Sequence, residues 1–405
     1  DKEDMFDRVS YNKGGRILHM LRNFVGDDAF YKSLNNYLTT NKFKSGEAAQ
    51  LRLAFEEVTG MDLNWFWNQW YYGSGHPKLK IDYNYDDAAG KAQVIIEQTQ
   101  KTDKVFRLPI AIDIYNGADK IRKKVWIENK TDTFTFNYTT KPDLINVDAD
   151  KITLCEKTDN KAADNYIAQY KYAGNYLDRK EALDYFNKKG MNELTLGLTD
   201  KYAALRKFTI DRIGKSKFAK EPAVISTIEK IVSVEKDKKT LAAAIKFLSA
   251  TNDNKYQTVF NKYVTDSSYT VAGACLEALN KIDPTKSYEL AKKFSKDAKG
   301  RLGDIVNTTL IENGTEADFD FIAQNYNDAP PSEEKLGLSE NFCDYLNKVN
   351  DITKVKTGID YIISFRNMIP SQFRSFTDAA FRKGFDKLSK TKGKEIEDYI
   401  EKSMK

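Results

Sequence analysis

The chain has 405 residues, of which 41% are hydrophobic and 30% charged, and its 64 basic and 59 acidic side chains leave a formal charge of +5. This length is enough for two to four domains, and the composition is typical of soluble globular proteins. The small basic excess is scattered among acidic residues, which argues against nucleic acid as a partner. No run approaches the 18 consecutive apolar residues of a membrane span, so none is predicted.

The cysteines and the first residue bear on the compartment. Cys155, Cys275 and Cys343 are odd in number and form no CxxC pair. We expect ordinary, partly buried thiols rather than a disulfide framework or a structural zinc site. The sequence starts at Asp1 without a signal peptide, and we interpret the chain as truncated at this end, so that neither the compartment nor the oligomeric state can be predicted.

The first segment, residues 1–77, is predicted to be helical. Apolar residues recur at spacings of three and four between residues 11 and 25, as on a helix with one buried face. Gly26 and Gly60 are expected to end the first and the third of four helices. The fourth is an aromatic helix over residues 64–70.

The second segment, residues 78–158, changes to the period of a β-strand. Apolar and polar residues alternate in short stretches, at 79–85, 110–114, 121–127 and 134–138. Turn signals such as Asn116-Gly117 separate these stretches. Six or seven short strands with regular turns predict a small β-sandwich.

The third segment, residues 159–405, returns to the helical period. Leu241, Ala244, Ile245 and Leu248 form one apolar stripe, and helices of this kind recur with short polar breaks. The pattern favours a C-terminal HEAT-like α-helical solenoid, and an irregular helical domain is the alternative. The predicted fold class is therefore α+β and multidomain.

The residues alone show no active site. A catalytic zinc usually takes three protein ligands, but the only histidines, His19 and His76, lie apart and neither begins an H-E-x-x-H motif. We expect His19 to pack in the structure and His76 to be a linker residue. No G-x-S-x-G elbow, phosphate-binding loop or dinucleotide fingerprint is present.

An ordered series of short motifs resembles a known family. Residues 8–15, Arg-Val-Ser-Tyr-Asn-Lys-Gly-Gly, contain a Tyr-x-Lys-Gly segment. An apolar helix and a Gly-Asp-x-x-Phe turn follow, and then come further matches at Asn41-Lys42-Phe43, Val58-Thr59-Gly60, Trp65-Phe66-Trp67-Asn68-Gln69-Trp70 and Gly75-His76-Pro77. Together they resemble the aminopeptidase N family of gluzincin zinc metallopeptidases, at the end of its catalytic domain.

The resemblance implies a zinc-dependent hydrolase that removes N-terminal residues from peptides. Family members bind zinc through H-E-x-x-H and a later glutamate, and grip the substrate's amino group with Gly-x-Met-Glu-Asn. None of these motifs occurs in this chain. We therefore expect a C-terminal portion without the zinc-binding half, with zinc in the parent protein and none in this segment, which should be inactive alone. The helical domain is expected to cover the active-site mouth and limit substrates to short peptides.

Tyr11 is the one catalytic residue that the resemblance implies. A phenol is a hydrogen-bond donor, and the family tyrosine stabilises the tetrahedral oxyanion formed during peptide hydrolysis. Lys13, Gly14 and Gly15 are expected to shape the helix start, and the Trp65-Phe66-Trp67 cluster to be core. Two alternatives stay open, a non-catalytic helical-repeat interaction protein and a different hydrolase, such as an epoxide hydrolase, on the same scaffold.

Overall fold

The structure, a computed structural model, describes residue 7 and residues 9–404. Its internal contacts group the chain into two compact units, one ending at Lys189 and the other beginning at Gly190. The division into three domains at 77 and 158 stays a prediction. The boundary between the two compact units lies after Lys189, and the predicted boundary at 158 lies about one helical hairpin earlier in the chain.

The first unit begins with helices, in agreement with the predicted pattern. A π-helical turn, Val9–Lys13, leads directly into the first of them. The helices are α1 Gly14–Val25, α2 Asp27–Thr40, α3 Ala48–Thr59 and α4 Asn64–Trp70. Gly60 ends α3 with a left-handed backbone, φ +68°, as expected of a glycine after a helix.

Seven strands follow and form two small sheets. The strands are β1 Lys78–Asp86, β2 Lys91–Gln98, β3 Leu108–Asn116, β4 Asp119–Ile127, β5 Thr131–Asn137, β6 Leu144–Val147 and β7 Glu156–Asp159. One sheet has the order β5-β2-β1-β7 and the other β4-β3-β6. All pairs are antiparallel except β1 with β7, which is parallel.

The two sheets and the N-terminal helices share one core. Ile81 and Ile96 are paired in the first sheet, and Ile112 and Val147 in the second. These side chains belong to the same buried cluster as Trp67 of α4. The strands therefore support the helices that precede them, and the first unit is a continuous α+β body.

Two further helices, α5 Ala163–Tyr172 and α6 Tyr176–Lys189, complete the first unit and join it through buried charges. The closest ion pairs are Lys151 with Asp178 at 2.7 Å, Lys161 with Asp159 at 2.8 Å and Lys157 with Glu181 at 3.0 Å. The predicted second boundary, at residue 158, falls within this cluster. There Lys157, Asp159 and Lys161 are ion-paired with one another and, through Glu181, with α6.

The pKa values within this cluster show how closely its charges depend on each other. Burial acts to raise the pKa of Asp159, but the ammonium groups of Lys161 and Lys157 outweigh it and hold that pKa below its usual range. Burial lowers the pKa of Lys161, against the attraction of Asp159. Neither charge would be stable in this position without its partner.

The second unit is built from helices. They are α7 Ala203–Ile213, α8 Pro222–Val234, α9 Lys238–Ser249, α10 Gln257–Tyr263, α11 Tyr269–Ile282, α12 Pro284–Phe294, α13 Gly300–Asn313, α14 Phe319–Asp328, α15 Glu333–Leu346, α16 Ile352–Met368, α17 Ser371–Lys392 and α18 Lys394–Ser403. The odd-numbered helices contact one another in sequence from α7 to α17, and α14, α16 and α18 form a second row. Within residues 9–404, no helix is both long enough and apolar enough to cross a membrane.

The thiols are sheltered, as predicted. Cys275 and Cys343 are buried and Cys155 is half-buried, and all three are free. Burial raises the pKa values of Cys155 and Cys275 to about 12. These side chains therefore stay protonated at neutral pH and behave as small apolar groups.

We expect limited trypsin digestion to spare residues 157–161. Lys161 is buried and Lys157 is bound to Glu181, whereas Lys188 and Lys189 at the end of α6 are exposed. Peptide mapping should find cleavage after Lys188 or Lys189 before cleavage after Lys157 or Lys161. The urea-unfolded chain, as control, should be cut at all four. Early cleavage of the folded chain within 157–161 would contradict the buried arrangement.

Replacing Lys161 with methionine should destabilise the first unit strongly. The change leaves the Asp159 carboxylate buried beside Lys157 at 3.7 Å, and breaking such a pair costs roughly 3–5 kcal/mol. Lys180→Met, which breaks a half-exposed pair with Asp184 on one helix, is the control and should cost about 1 kcal/mol or less. Urea unfolding measures both, and equal losses would mean that the buried pair has no special weight.

Candidate functional site

Tyr11 lies on the π-helical turn that precedes α1. Its backbone amide donates to the carbonyl of Asp7 at 3.2 Å, and the Asp7 carboxylate accepts from the amide of Ser10 at 2.7 Å. The bond from the Ser10 amide is the main reason why the pKa of Asp7 lies below its usual value. The Tyr11 side chain is 62% exposed. The turn therefore presents a phenol at the surface.

One face of α1, together with the turn that precedes it, forms hydrogen bonds with loops elsewhere in the first unit. The ammonium of Lys13 donates to the carbonyl of Gly75 at 3.3 Å. One turn later the Arg16 guanidinium donates to the carbonyl of Lys151, and after another turn the amide of Leu154 bonds to the sulfur of Met20 at 3.2 Å. Positions 13, 16 and 20 share one helical face. The start of the helix is therefore positioned by polar contacts as well as by apolar packing.

The turn that receives Lys13 is itself held in place. Lys104 donates to the carbonyls of Gln69 at 2.9 Å and Ser74 at 3.4 Å. Gly73 lies so close that a Cβ there would be 2.3 Å from the Lys104 nitrogen and 2.8 Å from a carbonyl oxygen of α4. Burial, followed by repulsion from Lys13, lowers the pKa of Lys104. Two lysines that are far apart in the sequence, Lys13 and Lys104, thus bind the same short turn.

The aromatic helix α4 is core, as predicted. Trp67 is fully buried and its indole N–H donates to the carbonyl of Ala48 at 2.8 Å. Phe66 is buried too, whereas Trp65 is half-buried and meets Trp126 edge to face at 5.6 Å. Arg107 stacks on Trp126 at 4.4 Å. A cavity of about 400 Å³ lies between these rings, α1 and strand β3.

Neither histidine has the role expected from the sequence. His19 was expected to pack against the apolar stripe, but its ring is exposed and lies 3.3 Å from the amide of Asn23. Partial burial, with Arg16 and Arg22 nearby, lowers its pKa. His76 is more than a linker residue, since its ring lies 2.7 Å from Glu156 of β7.

The two histidines therefore serve different local contacts and do not converge on a metal. Over residue 7 and residues 9–404, no group of three or more His, Cys, Asp or Glu side chains is placed to hold a metal ion. The described residues do not fit a catalytic zinc, which takes three protein ligands in most enzymes.

Comparisons with known proteins agree on one family. The peptidase family M1 domain matches residues 1–70. The leucyl aminopeptidase of Saccharolobus solfataricus is 26% identical over 151 residues, covering 36% of this chain and 18% of that protein. Aminopeptidase A of Gloydius brevicauda is 36% identical over 80 residues, which are 20% of this chain and 8% of that protein.

A bacterial relative and a solved structure extend the match. Aminopeptidase N of Lactococcus lactis is 28% identical over 115 residues, 28% of this chain and 13% of that protein. The crystal structure of Legionella pneumophila aminopeptidase A in complex with aspartic acid aligns with 95% of this chain and 57% of that one, at a TM-score of 0.58 and 13% identity.

Residues 1–70 of the chain belong to the peptidase family M1 domain. The chain spans 18% or less of the length of the three curated relatives named above. At 13% identity the structural alignment shows a shared fold and nothing finer. The matched M1 region contains Tyr11, α1 and the aromatic helix α4.

Residues 9–15 of the stretch that contains Tyr-x-Lys-Gly form the π-helical turn and the first residues of α1. Arg8, the first residue of that stretch as we quoted it, lies outside the described residues. Lys13 was expected to shape the helix start, and it does so by binding Gly75. Sequence reasoning missed Arg16, because its partner Lys151 is 135 positions away and bonds through a carbonyl that no side-chain pattern reveals.

We predict that this chain, purified alone and dialysed against a chelator, retains no stoichiometric zinc. His19 and His76 are the only histidines, and they serve separate contacts. Metal analysis by mass spectrometry tests this, with His19→Ala and His76→Ala as control variants. One tightly held zinc per chain, lost in either variant, would contradict the assignment.

Proposed function

We propose that this chain is part of a zinc-dependent aminopeptidase that hydrolyses N-terminal residues from peptides. The observation that carries the proposal is the exposed phenol of Tyr11, which lies inside the matched M1 region at the start of a firmly attached helix. The names of the relatives support aminopeptidase chemistry. Peptides are the proposed substrates.

Tyr11 is proposed to stabilise the oxyanion of the reaction. Water attack on a peptide carbonyl turns the carbonyl oxygen into an alkoxide, which a correctly placed O–H donor stabilises more than it stabilises the ground state. A phenol suits this role because it donates one hydrogen bond and carries no charge at neutral pH. The bonds of Asp7 and Lys13 support the proposal, since a donor must already be oriented to act in this way.

The metal is proposed to be bound by polypeptide outside these 405 residues. Zinc would there polarise the scissile carbonyl and the attacking water. The described residues offer no ligand set for it, so this chain alone is proposed to be inactive.

The helices from α7 onward are proposed to form a HEAT-like array. Their two rows of successive contacts support that interpretation, since helical repeats contact mainly their neighbours. A helical array also binds partners in proteins without catalytic activity, and this alternative would follow if the zinc-loaded protein that contains this chain hydrolysed no aminoacyl substrate.

In the zinc-loaded enzyme that contains this chain, Tyr11→Phe should lower kcat by roughly 100- to 1000-fold and leave KM nearly unchanged. The substitution removes one hydroxyl from a side chain that is 62% exposed, so packing should survive. Hydrolysis of an aminoacyl chromogenic substrate gives kcat, and thermal unfolding gives stability.

Tyr31→Phe is the matched control, because Tyr31 is similarly exposed on α2, at 55%. It should leave kcat unchanged. A Tyr11→Phe enzyme with the kcat of this control would refute the catalytic role of Tyr11.

A further inference from the structure

Arg16 attaches α1 to a loop that is far away in the sequence, and it does so through a charged hydrogen-bond donor. Arg16 lies five positions after Tyr11, and its guanidinium donates to the carbonyl of Lys151. A charged donor makes this bond stronger than a neutral one. Arg22, on the same helix, instead contacts the helix that follows in sequence, pairing with Asp27 at 2.7 Å and lying over the ring of Tyr31 at 5.2 Å.

The loop that accepts this bond has an unusual backbone. Lys151 and Asp148 both have left-handed conformations, with φ of +55° and +50°. Neither residue is a glycine, so the surrounding contacts must impose the geometry. The Asp148 carboxylate accepts from the amide of Ile152 at 3.2 Å and from the hydroxyl of Thr153 at 3.0 Å, which closes the loop on itself.

Lys151 is further locked by its own side chain. The ammonium lies 2.7 Å from Asp178 and 2.8 Å from the side-chain oxygen of Asn146, and the side chain is 5% exposed. Asp178 also accepts from the Asn146 amide at 3.0 Å. The side chain of Lys151 is therefore anchored to α6 and β6 while its carbonyl faces Arg16.

We infer that Arg16 is a positioning residue for Tyr11. The ion pair between Asp178 and Lys151 fixes the carbonyl of Lys151, and this carbonyl in turn fixes the position of Arg16. The inference rests on the proposed function of Tyr11. The helical backbone from residue 11 to residue 16 is continuous, so a shift at Arg16 reaches the turn that carries the phenol. Misplacing a reacting group by about 1 Å can cost about 100-fold in rate.

The experiment compares Arg16→Met with Arg22→Met, which removes an equivalent side chain from the same helix. In the zinc-loaded enzyme we expect Arg16→Met to lower kcat by about 10- to 100-fold with KM nearly unchanged. Arg16→Lys should recover part of the loss, because an ammonium can donate to the same carbonyl. Arg22→Met should behave as the wild type.

A second measurement needs no catalysis and uses this chain alone. Hydrogen–deuterium exchange should become faster at residues 9–16 in Arg16→Met and stay unchanged in β3. Asp178→Asn should speed exchange in both 148–153 and 9–16, because it weakens the anchor of Lys151. The kcat losses of Arg16→Met and Asp178→Asn should be less than additive when combined, since both act through one carbonyl.

The results separate this inference from the function on which it rests. If Tyr11→Phe lowers kcat but Arg16→Met matches Arg22→Met, the positioning role is wrong and the proposed function stands. If Tyr11→Phe keeps a normal kcat, the catalytic role proposed for Tyr11 fails. Unchanged exchange at residues 9–16 in Arg16→Met would overturn the inference in either case, and so would kcat losses that simply add in the double variant.

Discussion

Lys151 carries a buried ammonium that bonds with Asp178 of α6 and Asn146 of β6, at 2.7 and 2.8 Å. Taking such a charge out of water costs several kcal/mol unless its partners are in place. The same residue gives its carbonyl to Arg16 of α1. One residue thus joins the helices before the β-region, a strand and the helices after it. The first compact unit ends at Lys189 because α5 and α6 are part of this arrangement.

Polar contacts restrict the movement of α1 more than apolar packing would. Apolar contacts tolerate small sliding movements, whereas hydrogen bonds to carbonyls are directional and lose strength as the angle changes. The start of α1 and the turn after α4 are both held by cationic side chains on carbonyl groups, through Lys13, Arg16 and Lys104. Such attachment suits the role proposed for Tyr11, which requires its hydroxyl to be held in a fixed place.

The local structure could be predicted from the sequence to a large extent. Helical spacing between residues 11 and 25, the glycine after α3 and the aromatic helix at 64–70 all depend on neighbours in the chain. Strand alternation revealed the β-region for the same reason. The Tyr-x-Lys-Gly segment pointed to Tyr11 because its motif residues are contiguous, and the M1 match covers it.

The features that the sequence did not reveal involve residues that are far apart in the chain. Strand β7, Glu156–Asp159, has no apolar alternation, because its inward-facing residues, Lys157 and Asp159, are ion-paired charges, while Glu156 is exposed beside His76. Its parallel partner β1 lies some 80 positions earlier in the chain. Nothing in the sequence marked Arg16, since its acceptor is a carbonyl 135 positions away.

The most direct test of the account is a crystal structure of the zinc-loaded enzyme with a phosphinic peptide, whose tetrahedral phosphorus group mimics the reaction intermediate. We predict that the Tyr11 hydroxyl lies within hydrogen-bond distance of a phosphinyl oxygen, roughly 2.5–3.0 Å, with Arg16 still on the carbonyl of Lys151. A phenol turned away from that oxygen, with another side chain in its place, would contradict the central claim.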